Sequence, residues 1–227
     1  MLAQPAQALT DLLLGLVVCA LAIALLRRRV APKHRYWEFA LGCLALSALA
    51  GFVHHGFLVR WPAVATVSWT LISVAVVFGI SYLLAATVEE VLGPGHRRVF
   101  WVLRSAGLAA YIGLVITTGA GIGALILCES ITFACIIGLW AWAARHRNPL
   151  ALPVLVAIVA SAAAAGTKAI SDNLTGAVYL DGDSLYHLAQ IIGIVLLYRA
   201  VSIRRDPVRV GVDGPARTPA RDGGQPR

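Results

Sequence analysis

Charge is what this chain has least of. Only 13% of its 227 residues are Asp, Glu, Lys or Arg, 59% are hydrophobic, and the mean hydropathy is +0.79. A soluble globular domain carries about a quarter charged residues, so a water-solvated fold is excluded and lipid is the expected solvent. The net charge of +8 does not point to nucleic acid, because the basic residues come in short groups between apolar runs rather than along one face. Cysteine is scarce as well. Cys19, Cys43, Cys128 and Cys135 lie inside apolar runs without CxxC or CxxH spacing, which excludes a disulfide framework and a cysteine-ligated zinc. They read as small core residues. No basic leader precedes Leu12 to Leu26, and Arg27-Arg28-Arg29 follows it in a stop-transfer pattern, so this run is a span rather than a signal peptide. Lysine is nearly absent from the spans. Lys168 lies late in the sixth rather than mid-seventh, and the third span offers no carboxylate as counter-ion, which argues against a retinal Schiff base. No internal repeat stands out, and nothing suggests a β-barrel.

What the chain does have is apolar runs of membrane-spanning length, about 17 to 25 residues. Seven are read, at 9–26, 37–59, 64–87, 99–118, 121–144, 150–171 and 184–203. Irregular backbone cannot face lipid, so each is expected to be a helix. The fold class is all-α, an integral membrane seven-transmembrane helix bundle over residues 1–205. Residues 206–227, rich in Pro, Gly and Arg, are expected to be a disordered tail. Arg27, Arg28, Arg29, Lys33, Arg35, Arg97, Arg98, Arg145 and Arg147 fill the odd connections, whereas the even ones carry only Arg60. That asymmetry puts the N-terminus outside and the C-terminal tail in the cytoplasm. Ala- and Arg-rich, Lys-poor usage fits a bacterial plasma membrane.

Given this topology, several polar residues reach one level at the outer face. Asp183 and His187, at i and i+4, project from one face of the seventh helix. His54 and His55 end the second span, Lys168 and Asp172 end the sixth, and Glu129 lies about two turns into the fifth. Bland alternatives stand beside each. The histidines suit a membrane interface, Asp183 suits a helix N-terminus, and Asp172 or Glu129 suits an ion pair with Lys168. Ser47 suits a bond to the Cys43 carbonyl. Taken together, two histidines and a carboxylate form a ligand set for a divalent metal with room for water.

The pattern resembles the CREST superfamily of seven-helix membrane proteins, which includes alkaline ceramidases and the progestin and adipoQ receptors. Gly51-Phe52-Val53-His54-His55 stands where that family has its second-span histidine, and Asp183-Ser184-Leu185-Tyr186-His187 where it has a His-x-x-x-His. The resemblance implies a metal, zinc first, held by His55, Asp183 and His187, with His54 as the alternative to His55. Asp183 replaces the family's first histidine. Gly51 stands in place of the family serine, with Ser47 two turns before His55, and Asp172 matches the late-sixth-span aspartate. The expected function is hydrolysis of a lipid amide or ester by metal-activated water. Asp172 or Glu129 would be the base, and Tyr186 or Ser47 an oxyanion donor. The alternatives are a seven-helix sensor without catalysis and a proton- or ion-coupled transporter that uses Glu129, Lys168, Asp172 and the histidines as its relay.

Overall fold

The computed structural model describes residues 2–27, 35–118, 122–167 and 181–202. Within them lie seven helices: α1 Pro5–Arg27, α2 Arg35–Gly56, α3 Pro62–Leu92, α4 Arg97–Thr118, α5 Ile122–Arg145, α6 Ala151–Gly166 and α7 Gly182–Ser202. A short 3-10 turn, Leu58–Arg60, joins α2 to α3. Five helices are long and apolar enough to cross a membrane: α1, α2, α3, the Ile126–Arg145 part of α5, and α7. The other two differ for separate reasons. α4 includes Arg97, Arg98 and Arg104, and α6 is apolar but only 16 residues long as described. The expected tail at 206–227, together with Lys168 and Asp172, lies outside the described residues.

Local chemistry sets the helix ends. Trp61 is extended, as the residue before a proline must be, and Pro62 then opens α3 where its missing N–H costs nothing. At the other end Gly93 takes φ 88°, a left-handed value suited to glycine, and its N–H closes the helix on the Glu89 carbonyl at 3.1 Å.

Six helices close a ring in which α1 packs on α2, α2 on α3, α3 on α5, α5 on α6, α6 on α7 and α7 back on α1. α4 lies outside it against α3 and α5. The outer wall is studded with large apolar side chains such as Leu16, Phe39, Leu71, Trp101, Leu152 and Ile192. Helices that are apolar on both faces need a non-aqueous surround.

The interior has two ends. Around the ends marked by Arg27, Arg35 and Arg145 it is filled by Leu25, Trp37, Leu41, Leu84, Ile136, Trp140, Val154 and Val201. Trp140 Nε1 satisfies itself on Thr87 Oγ1 at 3.1 Å. Of the cysteines, Cys128 is buried and the rest are half-buried, all as free thiols. The opposite end, where α2 finishes and α7 begins, encloses Asp11, His54 and Ser184.

Candidate functional site

The centre of the polar end is Asp11, on the second turn of α1, with 5% of its surface exposed. Its two oxygens face two imidazoles. Oδ1 is 3.4 Å from His187 Nε2 on α7, and Oδ2 is 3.9 Å from His55 Nε2 on α2. Three helices that are sequential neighbours around the ring each supply one of these groups.

Gly51 makes that placement possible. A Cβ built there would stand 2.6 Å from Asp11 Oδ2 and 2.9 Å from Cγ, so the carboxylate occupies the space that any side chain at this position would need. Position 51 lies one turn before His55 on the same face of α2, and the carboxylate is thereby pressed up against that turn.

The outer ring nitrogens are engaged as well. His55 Nδ1 is 2.6 Å from Gln4 Oε1, an atom that can only accept, so Nδ1 carries the proton. His187 Nδ1 is 3.2 Å from Thr10 Oγ1, whose single proton also has the Ala6 and Gln7 carbonyls within reach at 3.0 Å, so the donor between ring and hydroxyl follows from the tautomer. In the neutral ring, the His55 Nε2 lone pair is therefore turned toward the Asp11 carboxylate, whereas His187 Nε2 faces it as donor or acceptor according to its tautomer. A cation held among these groups would be stabilised by the carboxylate and by any imidazole nitrogen that presents its lone pair.

One turn further out, α1 and α7 are tied again. Gln7 Nε2 donates to Asp181 Oδ2 at 2.6 Å, and the Ser184 backbone N–H donates to Asp181 Oδ1 at 2.7 Å. The Leu185 N–H closes on the Asp181 carbonyl at 3.0 Å, which makes Asp181 the N-cap of α7. Burial pushes the Asp181 carboxyl up, but the hydrogen bonds from Ser184 and Gln7 outweigh it and hold the group below its ordinary value. Two buried atoms beside this seam, Gln7 Oε1 and Ser184 Oγ, have no hydrogen-bond partner among the described residues. Ser184 is completely buried.

The sequence-derived candidates fall in several places. His55 and His187 come together at Asp11, with the Tyr186 ring packed 5.4 Å from that of His187. His54 points elsewhere, donating from Nδ1 to Ser68 Oγ at 2.5 Å and packing on Trp69. Asp183 is exposed in the first turn of α7. Ser47 donates to the Leu44 carbonyl at 2.9 Å. Glu129 lies 3.9 Å from Arg104, on the seam between α4 and α5. Asp172 lies outside the described residues.

Two ligands about 2 Å from a tetrahedral zinc stand about 3.3 Å apart. The Asp11–His187 separation of 3.4 Å matches that edge and the Asp11–His55 separation of 3.9 Å exceeds it. As they stand, no three His, Cys, Asp or Glu side chains among the described residues form a metal cage. By donor chemistry the trio fits a divalent cation, and the fit in distance is complete on one side only.

Asp11, Gln4, Gln7 and Thr10 were not among the sequence candidates. The available signal was Asp11 itself, the single charged residue within 9–26. A family of unknown function, DUF6962, matches residues 6–206. No curated protein and no solved structure matches the chain.

Proposed function

The chain belongs to the family of unknown function DUF6962, and from its own geometry we propose a multi-pass membrane protein with a metal-dependent hydrolase centre for a lipid amide or ester. The observation that carries this reading is the Asp11 carboxylate set between two imidazoles whose outer nitrogens are held by Gln4 and Thr10. Histidines whose outer nitrogens are tied down in this way are pre-oriented ligands. In this reading Asp11, His55 and His187 hold the metal, zinc first, and Asp11 takes the ligand role that the sequence pattern gave to Asp183.

A bound zinc supplies Lewis acidity and a water whose pKa falls to about 7. The protein's own groups do the rest. Tyr186, whose ring packs on that of His187, is the proposed oxyanion donor. Asp172, which precedes α7 in sequence, is the proposed proton acceptor. The basic connections support an N-terminus outside and a C-terminus in the cytoplasm of a bacterial plasma membrane, which puts the centre near the outer headgroups.

The test is metal analysis of the purified protein, followed by assay in vesicles against a fluorescent ceramide and a phospholipid ester. Stoichiometric zinc in the wild type and its loss in Asp11→Asn and His187→Ala are expected, together with hydrolysis of one lipid class. A wild type that purifies without stoichiometric metal, and takes none up on addition of zinc, overturns the reading. A metal-loaded protein inert on both lipids leaves the binding function without the catalysis.

A further inference from the structure

A second polar site lies away from the histidine end, between α3, α4 and α5. Arg104 is the single charged residue of the stretch 99–118 and is 2% exposed, and Glu129 across from it on α5 is 8% exposed. The guanidinium has its own partners. Nη1 donates to Thr132 Oγ1 at 2.8 Å and reaches Cys128 Sγ at 3.7 Å, and Nη2 reaches the Val77 carbonyl at 3.5 Å. Val77 is the middle residue of the 31-residue α3, so the contact sits halfway through the bundle. Gly107 lets α4 come this close, since a Cβ there would stand 2.9 Å from Thr132 Oγ1 and 3.0 Å from the Cys128 carbonyl.

Glu129 has no such satisfaction. Among the described residues, both buried carboxylate oxygens are without a hydrogen-bond partner, and the charge facing them is Arg104 Nη2 at 3.9 Å, beyond hydrogen-bond range. On the elements packed against α5, the other ionisable groups facing this level are few. Residues 62–81 of α3 and all of described α6 contain no Asp, Glu, Lys, Arg or His, α4 supplies Arg104, and α5 itself supplies Cys128.

Neither charge state suits the pair fully. An ionised Glu129 neutralises Arg104 but leaves two desolvated oxygens without donors, a poorly compensated buried anion. A protonated Glu129 removes that penalty and leaves Arg104 as an uncompensated buried cation, although its hydrogen bonds to Thr132 and Val77 remain. When each state carries one penalty, a single proton moves between them at low cost. We propose that Glu129, poised against Arg104, is an intramembrane proton-binding site, independent of the Asp11 centre and of any metal there.

Infrared difference spectroscopy on the full chain in lipid, across a pH series, tests this. The expected result is a protonated-carboxyl stretch that titrates in the wild type, shifts on ¹³C labelling of glutamate, and is missing from Glu129→Gln. Replacing Arg104 by Gln should displace its midpoint. Labelling leaves Glu38, Glu89, Glu90 and Glu129 as the only sources of the shifted band. Should Glu129→Gln fail to purify, Glu129→Asp keeps the test open: its band loses the ¹³C-glutamate shift. A wild-type spectrum without a titrating glutamate band, or one unchanged in the Glu129 variants, overturns the proposal, whatever the metal content proves to be.

Discussion

At position 51 the bundle leaves room for a hydrogen atom and nothing larger. Gly51→Ala sets a methyl 2.6 Å from Asp11 Oδ2, and relief requires the buried carboxylate to move. Overpacking of this kind costs ~1–3 kcal/mol. Gly42→Ala, on the same helix, meets nothing within 4 Å, and removing glycine from a helix interior gains about 0.5–1 kcal/mol. Thermal unfolding in detergent should therefore move down for the first variant and up for the second. Equal shifts would mean that the carboxylate does not fill the space beside Gly51. On the proposed metal reading, Thr10→Val frees the His187 ring and should weaken zinc affinity about 10–100-fold with little change in fold, as read by competition with a chelator. Unchanged affinity would remove Thr10 from the site. The histidines were legible at this scale because polar groups in apolar runs are conspicuous. Asp11 was as conspicuous, but its meaning depends on a partner 176 positions along the chain, and no local pattern carries that pairing.

The start of α7 shows what a single helix end contributes. Asp181, not Asp183, caps it, with Gln7 of α1 holding the second oxygen. Losing an N-cap costs ~1 kcal/mol, so Asp181→Ala should lower the unfolding temperature and loosen the α1–α7 seam. The Asp181 carboxyl sits below its ordinary value in the fold, and the unfolded carboxyl titrates near ~3.9. Its stabilisation is thus fully present above that pH and is lost as pH falls through the lower, folded value. The gap between wild type and Asp181→Ala should hold steady through neutral pH and close in acid. A gap that closes instead on the alkaline side would assign the effect to another group. Helix bounds were largely legible in sequence. The run read at 37–59 forms Arg35–Gly56, and that at 99–118 forms Arg97–Thr118. α3 runs longer than the expected 64–87 because Pro62 can begin it and nothing breaks it before Gly93.

The described helices form a ring with one helix outside, and hydropathy alone could not have said which. A membrane-spanning run announces its length and apolarity but not its neighbours, so the seven-helix plan was readable and the α7–α1 closure was not. Arg104 shows the same limit: one arginine in an apolar run signals a buried partner, and only the α4–α5 contact identifies Thr132 and Glu129. The proposed orientation is open to a direct check. In a background with the four native cysteines replaced, a cysteine at Trp61 should react with an impermeant thiol reagent on intact cells, and one at His96 only after the cytoplasmic face is exposed. The reverse labelling would invert the topology and place the Asp11 centre at the inner leaflet.

The seam between α1 and α7 also orders events during synthesis. Gln7 and Asp181 are 174 positions apart, and Thr10 and His187 are 177 apart. A nascent chain that has made only α1 to α6 would have Asp11 beside His55 but not its second imidazole. The clasp shuts when α7 follows. Whatever the centre does, only a fully translated chain can do it, and a product truncated before α7 is an incomplete ring as well as an incomplete site.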